Sequence, residues 1–240
     1  MPADPTSPGS RASGVRSERR QVLFDSLGVG VATGAYGLSF GAISVASGFS
    51  VWQACALSLL VFTGASQFAL VGVVTAGGSP LSGAATALML GTRNTLYGLR
   101  LASLLGLRGG ERLIGAQLVI DESTAMALKP KERANARLAF FATGLAVFVL
   151  WNLATFIGAL AGQAVGDPRT YGLDAAVPAA FLALLWPRLS TLRARVTGVL
   201  AGGLALTLVP VARPGLPIIA AAGIAFLASL KDDEPTREAG

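Results

Sequence analysis

Val61-Phe62-Thr63-Gly64-Ala65-Ser66-Gln67-Phe68-Ala69 sets a threonine, a serine and a glutamine in the middle of a run, Ala54 to Ala76, that contains no charged residue. As a helix, a run of that length crosses a bilayer core of about 30 Å. A hydroxyl or amide without a partner at that depth costs on the order of 1 kcal/mol or more. Polar side chains placed there predict a path or a binding site for something polar.

The rest of the chain extends this reading. Of its 240 residues 52% are hydrophobic and 13% charged, with a mean hydropathy of +0.61, where a soluble domain carries roughly 25% charged residues. Apolar runs follow one another at 22–48, 53–76, 80–106, 113–128, 136–165, 171–187, 196–212 and 214–230. The fourth is short and carries Asp121 and Glu122, and the last two are separated only by Arg213-Pro214-Gly215. The expectation is an all-α integral membrane protein of about seven or eight transmembrane helices, with at least one segment broken or re-entrant. The alternation of barrel strands is absent. Residues 1–20 read as a disordered basic tail without the apolar stretch of a signal peptide. Residues 21–231 then form one polytopic domain, and 232–240 a polar tail.

The net charge of +6 lies at the ends of apolar runs, not in one patch, and no stacking aromatics interleave with it, which argues against nucleic acid. With the N-terminus inside, Arg11, Arg16, Arg19, Arg20, Lys129, Lys131, Arg133, Arg137, Arg188, Arg193, Arg195, Lys231 and Arg237 fall on the cytoplasmic side. Only Arg108, Arg112, Arg169 and Arg213 fall outside. That bias predicts a multi-pass protein of a prokaryotic inner (plasma) membrane with both termini cytoplasmic. With no histidine and only Cys55 as thiol, disulfides, histidine acid–base chemistry and histidine metal sites are excluded. Ser66 therefore has no histidine base, and Phe68 stands where a nucleophile elbow needs glycine. No enzyme, metal or cofactor is expected.

Four further features carry chemistry. The first run holds Gly28, Gly30, Gly34, Gly37, Gly41 and Gly48, which suits close helix packing. A break at Gly37-Leu38-Ser39-Phe40-Gly41 would instead free N–H groups for an anion. Arg93, Tyr97 and Arg100 share a face of the third run at helical spacing, where an arginine either snorkels or binds a carboxylate. Asp121, Glu122 and Asp174 are the acids within apolar runs, able to hold an ammonium group or a proton, though Asp174 also fits an interfacial N-cap. Phe40-Gly41-Ala42-Ile43 followed by Gly48 echoes Ile157-Gly158-Ala159-Leu160 followed by Gly166, a possible two-fold internal repeat.

In order along the chain, Ser39-Phe40-Gly41, Phe62-Thr63-Gly64-Ala65-Ser66-Gln67-Phe68, Arg93 with Leu96-Tyr97-Gly98, Asp121-Glu122, and Gly172-Leu173-Asp174 with Pro178-Ala179-Ala180-Phe181 resemble the AzlC family, the large subunit of branched-chain amino acid exporters. The resemblance implies a permease that exports valine, leucine, isoleucine and methionine on the proton gradient. It also implies a partner in the bilayer, a small AzlD-like subunit of about four spans. The family commonly has histidine where Asn94 stands, so if that histidine serves proton coupling in relatives, this chain couples differently or through its carboxylates. The expected substrate-binding residues are Ser39, Phe40, Gly41, Ser66, Gln67, Arg93, Asn94 and Tyr97. Those for the ammonium group or the coupled proton are Asp121, Glu122 and Asp174. A passive channel for small polar solutes, or a scaffold subunit that only binds a partner, would use the same polar residues without a proton cycle.

Overall fold

The computed structural model describes residues 8–164, 182, 185–186, 189–212 and 216–230. Among them the chain is helical: α1 Pro8–Ala46, α2 Val51–Leu60, α3 Ala65–Thr75, α4 Pro80–Leu105, α5 Gly110–Gln117, α6 Asp121–Ala127, α7 Arg133–Ala164, α8 Leu192–Leu208 and α9 Leu216–Leu230. Two of these, within Ser17–Ala46 and Arg133–Ala164, are long and apolar enough to cross a membrane. The chain divides into two compact units, one holding the described residues up to Gln67 together with 91–164, the other 68–90 with the described residues after 167.

In the first unit α1 and α7 lie side by side and run in the same direction. A Cβ on Gly30 would meet Ala146, one on Gly34 Leu150, one on Gly37 the Trp151 carbonyl and Ala154, and one on Gly41 the Thr155 carbonyl and the Ala159 nitrogen. From the other helix, a Cβ on Gly158 would meet the Leu38 carbonyl, and one on Gly162 would meet Ala42. Backbones this close gain dispersion contact along their length, which drives association where lipid removes the hydrophobic effect. Thr143 Oγ1 and Ser26 Oγ add a buried hydrogen bond of 2.9 Å across the pair. The two halves of the Gly-Ala echo thus face each other. They are used for contact, and α1 continues unbroken through Gly37–Gly41, so the break expected there is absent. The helix also reaches back to Pro8, into the stretch expected as a tail.

Two other runs do break. The apolar run 53–76 is split into α2 and α3, and 113–128 into α5 and α6. At 8 and 7 residues, α5 and α6 are each too short to cross. They rise along α7 and return. A Cβ on Gly115 would touch Leu107 and Phe140, and one on Gly144 would touch Leu118, which places the α5–α6 turn about 16 Å along α7 from Arg133 at 1.5 Å per residue. At the base, Arg137 Nη1 donates to Leu105 O at 3.1 Å, and Arg137 Nη2 pairs with Glu111 Oε1 at 2.8 Å. The end of α4, the start of α5 and the start of α7 therefore lie at one end of the unit. This differs from the expectation that put Arg108 and Arg112 across the membrane from Arg133 and Arg137. The short length and the paired acids of 113–128 argue against a full crossing, and the structure folds the segment into a two-helix hairpin.

Helix α2 enters from the opposite end. Val51 and Ala54 cluster with Ala159, Ser58 Oγ lies 3.3 Å from Thr155 Oγ1, and Phe62 meets Phe148 edge to face at 5.0 Å. It runs antiparallel to α7 and stops near the α7 midpoint.

In the second unit, α3 packs on the first half of α4, where a Cβ on Gly83 would touch Leu70 and Val74. Helices α8 and α9 form a pair in which Arg193 donates to Ala228 O.

The glycine contacts predict that Gly41→Ala and Gly158→Ala, which each drive a methyl into a carbonyl oxygen, destabilise by about 1–3 kcal/mol. Gly28→Ala, with nothing within 4 Å, is expected to be near neutral. The unfolding midpoints of the purified proteins in detergent check this difference.

Candidate functional site

The break between α2 and α3 is built from local sequence. Ser50 starts α2 with a capping box, Gln53 N donating to Ser50 Oγ at 3.2 Å and Ser50 N to Gln53 Oε1 at 2.8 Å. The helix ends at Leu60, and Gly64 takes a φ of +62°, a left-handed conformation that glycine adopts without strain. Ending a helix here strands its last carbonyls. Gln67 Nε2 donates to Leu57 O at 3.0 Å, while its Oε1 accepts from Gly64 N at 3.1 Å. Gln117, the last residue of α5, donates through Nε2 to Leu59 O at 2.8 Å. The second break is held the same way, Ser123 Oγ accepting from Ile120 N at 3.1 Å and donating to Leu118 O at 2.6 Å. The tips of the two half-length helices meet through the Gln117 contact.

Around this junction several polar atoms are buried without a hydrogen-bond partner. They are Thr63 Oγ1, Ser66 Oγ, Arg93 Nε, Asn94 Oδ1 and Asn152 Oδ1. Ser66 is 1% exposed, and its Oγ lies 3.7 Å from where a Cβ on Gly91 would stand, so glycine at 91 leaves that hydroxyl room. Asn94 follows Gly91 by three residues and shares its face of α4. Arg93 Nη1 reaches Asp121 Oδ2, at the first residue of α6, at 3.0 Å. The pair is about one third and one quarter accessible, at 32% and 26%. Asp121 and Glu122 stand in the first turn of α6.

The other predicted residues fall as follows. Phe40 is fully buried and stacks on Trp151 with ring centres 6.2 Å apart, Gly41 is pressed on α7, and Ser39 is exposed. Tyr97 lies half-buried one turn after Arg93, and Glu122 is half-buried beside Asp121. Asp174, with Gly172, Leu173 and Pro178–Phe181, lies outside the described residues. The structure thus brings Ser66, Gln67, Arg93, Asn94 and Asp121 to the two breaks. Sequence reasoning noted Thr63 as a polar residue of the uncharged run without placing it among the site residues, and it missed Asn152. Asn152 carried a signal, an amide between Trp151 and Leu153 in the middle of an apolar run.

Comparison with known proteins gives the same assembly a family context. The AzlC protein family model matches residues 28–165, which contain both breaks and the ion pair. An uncharacterized membrane protein of Archaeoglobus fulgidus is 35% identical over 190 residues, covering 77% of this chain and 81% of its own. The inner membrane protein YgaZ of Escherichia coli K12 is 28% identical over 169 residues, covering 67% and 69%. No solved structure matches the chain.

The geometry separates two neighbours. Gln67→Ala removes two hydrogen bonds that close the break and is expected to lower stability by about 1–3 kcal/mol. Ser66→Ala deletes an unpartnered hydroxyl and should leave the unfolding midpoint within about 2 °C of the parent, readable by the same thermal scan of purified protein.

Proposed function

The chain belongs to the AzlC family of membrane transport proteins, and from that premise we propose that it is a secondary exporter of branched-chain amino acids. On this reading it moves valine, leucine, isoleucine and methionine outward on the proton gradient, alongside a small AzlD-like subunit. The observation that carries the proposal is the set of buried, unpartnered polar atoms at the α2–α3 break beside the Arg93–Asp121 ion pair.

An amino acid is a zwitterion with an apolar side chain, and it needs donors for the carboxylate. The first N–H groups of α3, Ser66 Oγ and Arg93 Nε supply them. A helix N-terminus carries about half a positive charge, and Arg93 adds a donor whose partner Asp121 keeps the site from holding an uncompensated cation in oil. Phe40, Phe62, Phe148 and Trp151 offer apolar surface at the same level of the first unit.

The carboxylate of Asp121 supports the proton-coupling part. Neutralising it removes the ionic component of its contact with Arg93 and leaves the guanidinium available to a substrate carboxylate. That exchange links a proton to a substrate at one arginine, with no histidine required. Glu122 adjoins it, and Asp174 belongs to the same proposal.

The shared end of α1, α4 and α7 supports an orientation. Arg19 and Arg20, Arg108 and Arg112, and Lys129, Lys131, Arg133 and Arg137 gather at chain segments that meet at that end, since α1 and α7 are parallel and Arg137 holds Leu105 and Glu111. Basic clusters of this kind mark the cytoplasmic side. The reading is an inner-membrane, multi-pass protein with a cytoplasmic N-terminus, and a cytoplasmic C-terminus is part of the same proposal.

Cells fed a valine-containing dipeptide and carrying Arg93→Ala or Ser66→Ala are expected to accumulate valine at least several-fold over the parent. Collapse of the proton gradient should abolish export against a concentration gradient. Export that persists without a gradient points to a channel, and normal export by both variants at parental expression levels sinks the site assignment.

A further inference from the structure

Asn152 stands outside the donor set described above. Its Nδ2 donates to Phe148 O, one turn back in α7, at 2.7 Å. That bond fixes the amide: the nitrogen must face the carbonyl, so the remaining buried atom is the oxygen. Oδ1 is shielded from solvent and has no hydrogen-bond partner, a state that costs about 1–3 kcal/mol unless something fills it.

What lies against this part of α7 is the break itself. Phe148, on the same helix face as Asn152, meets Phe62 at 5.0 Å, and Trp151 comes within 4.0 Å of where a Cβ on Gly64 would stand. Thr63, between those two contacts, has its Oγ1 buried and unpartnered. Here α2 also presents its carboxyl end, the negative pole of the helix. Its carbonyls at Leu57 and Leu59 are already drawn off by Gln67 and Gln117. The guanidinium of Arg93 is engaged by Asp121.

We propose that Asn152 Oδ1, Thr63 Oγ1 and the carboxyl end of α2 form a neutral-oxygen subsite for a small monovalent cationic group, the Thr63 hydroxyl turning its proton away to accept. Two sources share that chemistry, the α-ammonium of an amino acid and a free alkali cation such as Na⁺. The ammonium source rests on the export reading, and the alkali source does not. Neutral oxygens suit a transport site because they replace a hydration shell without cancelling the charge, so the ligand can leave again. Asp121 is the weaker ammonium partner, since an ammonium would there have to displace a guanidinium at 3.0 Å.

The test uses the purified full-length chain in detergent, with binding read from ligand-dependent shifts of the unfolding midpoint. The probes are leucine, its deaminated analogue 4-methylpentanoate, and NaCl against choline chloride. With the ammonium as source, Asn152→Leu weakens leucine binding at least tenfold and leaves 4-methylpentanoate unchanged, and Thr63→Val shifts leucine in the same direction. With an alkali cation as source, a stabilisation specific to NaCl disappears in Asn152→Leu while leucine affinity at saturating NaCl holds. Asn152→Asp, which keeps the shape and adds a negative charge, should tighten the cationic ligand at least threefold and is readable even if Asn152→Leu does not fold. If the parent moves no leucine in proteoliposomes, the export reading fails while a NaCl shift lost in Asn152→Leu still upholds the subsite. Parental leucine and NaCl responses in both Asn152 variants, or a parent that responds to neither probe, overturn it.

Discussion

A bilayer interior supplies no hydrogen bonds, so a helix that stops inside it must find protein partners for its last carbonyls. The rest of the first unit depends on how that requirement is met. Gln117, from the far hairpin, supplies Leu59 O, and Gln67, from the next helix, adds a second donor to Leu57 O beside the Val61 N–H. Because Gln117 is itself the end of α5, one hydrogen bond both satisfies α2 and registers the two half-length helices against each other. Ser123 closes the second break in the same manner. Only with the backbone so provided for can Ser66, Asn94 and Thr63 keep unpartnered polar atoms in the interior without unravelling the helices around them.

The frame on which these breaks hang is the α1–α7 pair. Its glycines permit backbone approach along several turns, and rigidity there gives α2 and the α5–α6 hairpin a fixed wall to lie against from opposite ends. The ion pair of Arg93 and Asp121 then ties the middle of α4 to the tip of that hairpin. Unpartnered polar atoms, helix ends and the Asp121 carboxylate are thereby concentrated within one level of the first unit.

Much of this was legible in the chain before its structure. The polar residues in an uncharged run read as a binding site, where the structure places a helix break, and the brevity of 113–128 with its two acids marked a segment unfit to cross. The location of the first break was misjudged because glycine density has two meanings. In Gly37–Gly41 it reports close approach to another helix, and the partner sits more than a hundred residues away, invisible to local reading. Gln67 looked like a ligand for substrate because its amide needs several partners, and the structure shows two of them to be backbone groups. The pairing of Arg93 with Asp121 could not be read from spacing, since it depends on the hairpin folding back. The same fold-back moved Arg108 and Arg112 to the end where Arg133 and Arg137 lie.

The shortness of α2, α5 and α6 bears on how the protein is made. None of the three is long enough to be retained by the insertion machinery as a span in its own right, and the wall that all three rest on, α7, is the last of the unit to be synthesised. Residues 51–60 therefore meet the surface they rest on only after chain some hundred residues downstream has been made. The polar centre thus cannot be complete before α7 has been made. Chain truncated before Arg133 has no place to put the half-helices.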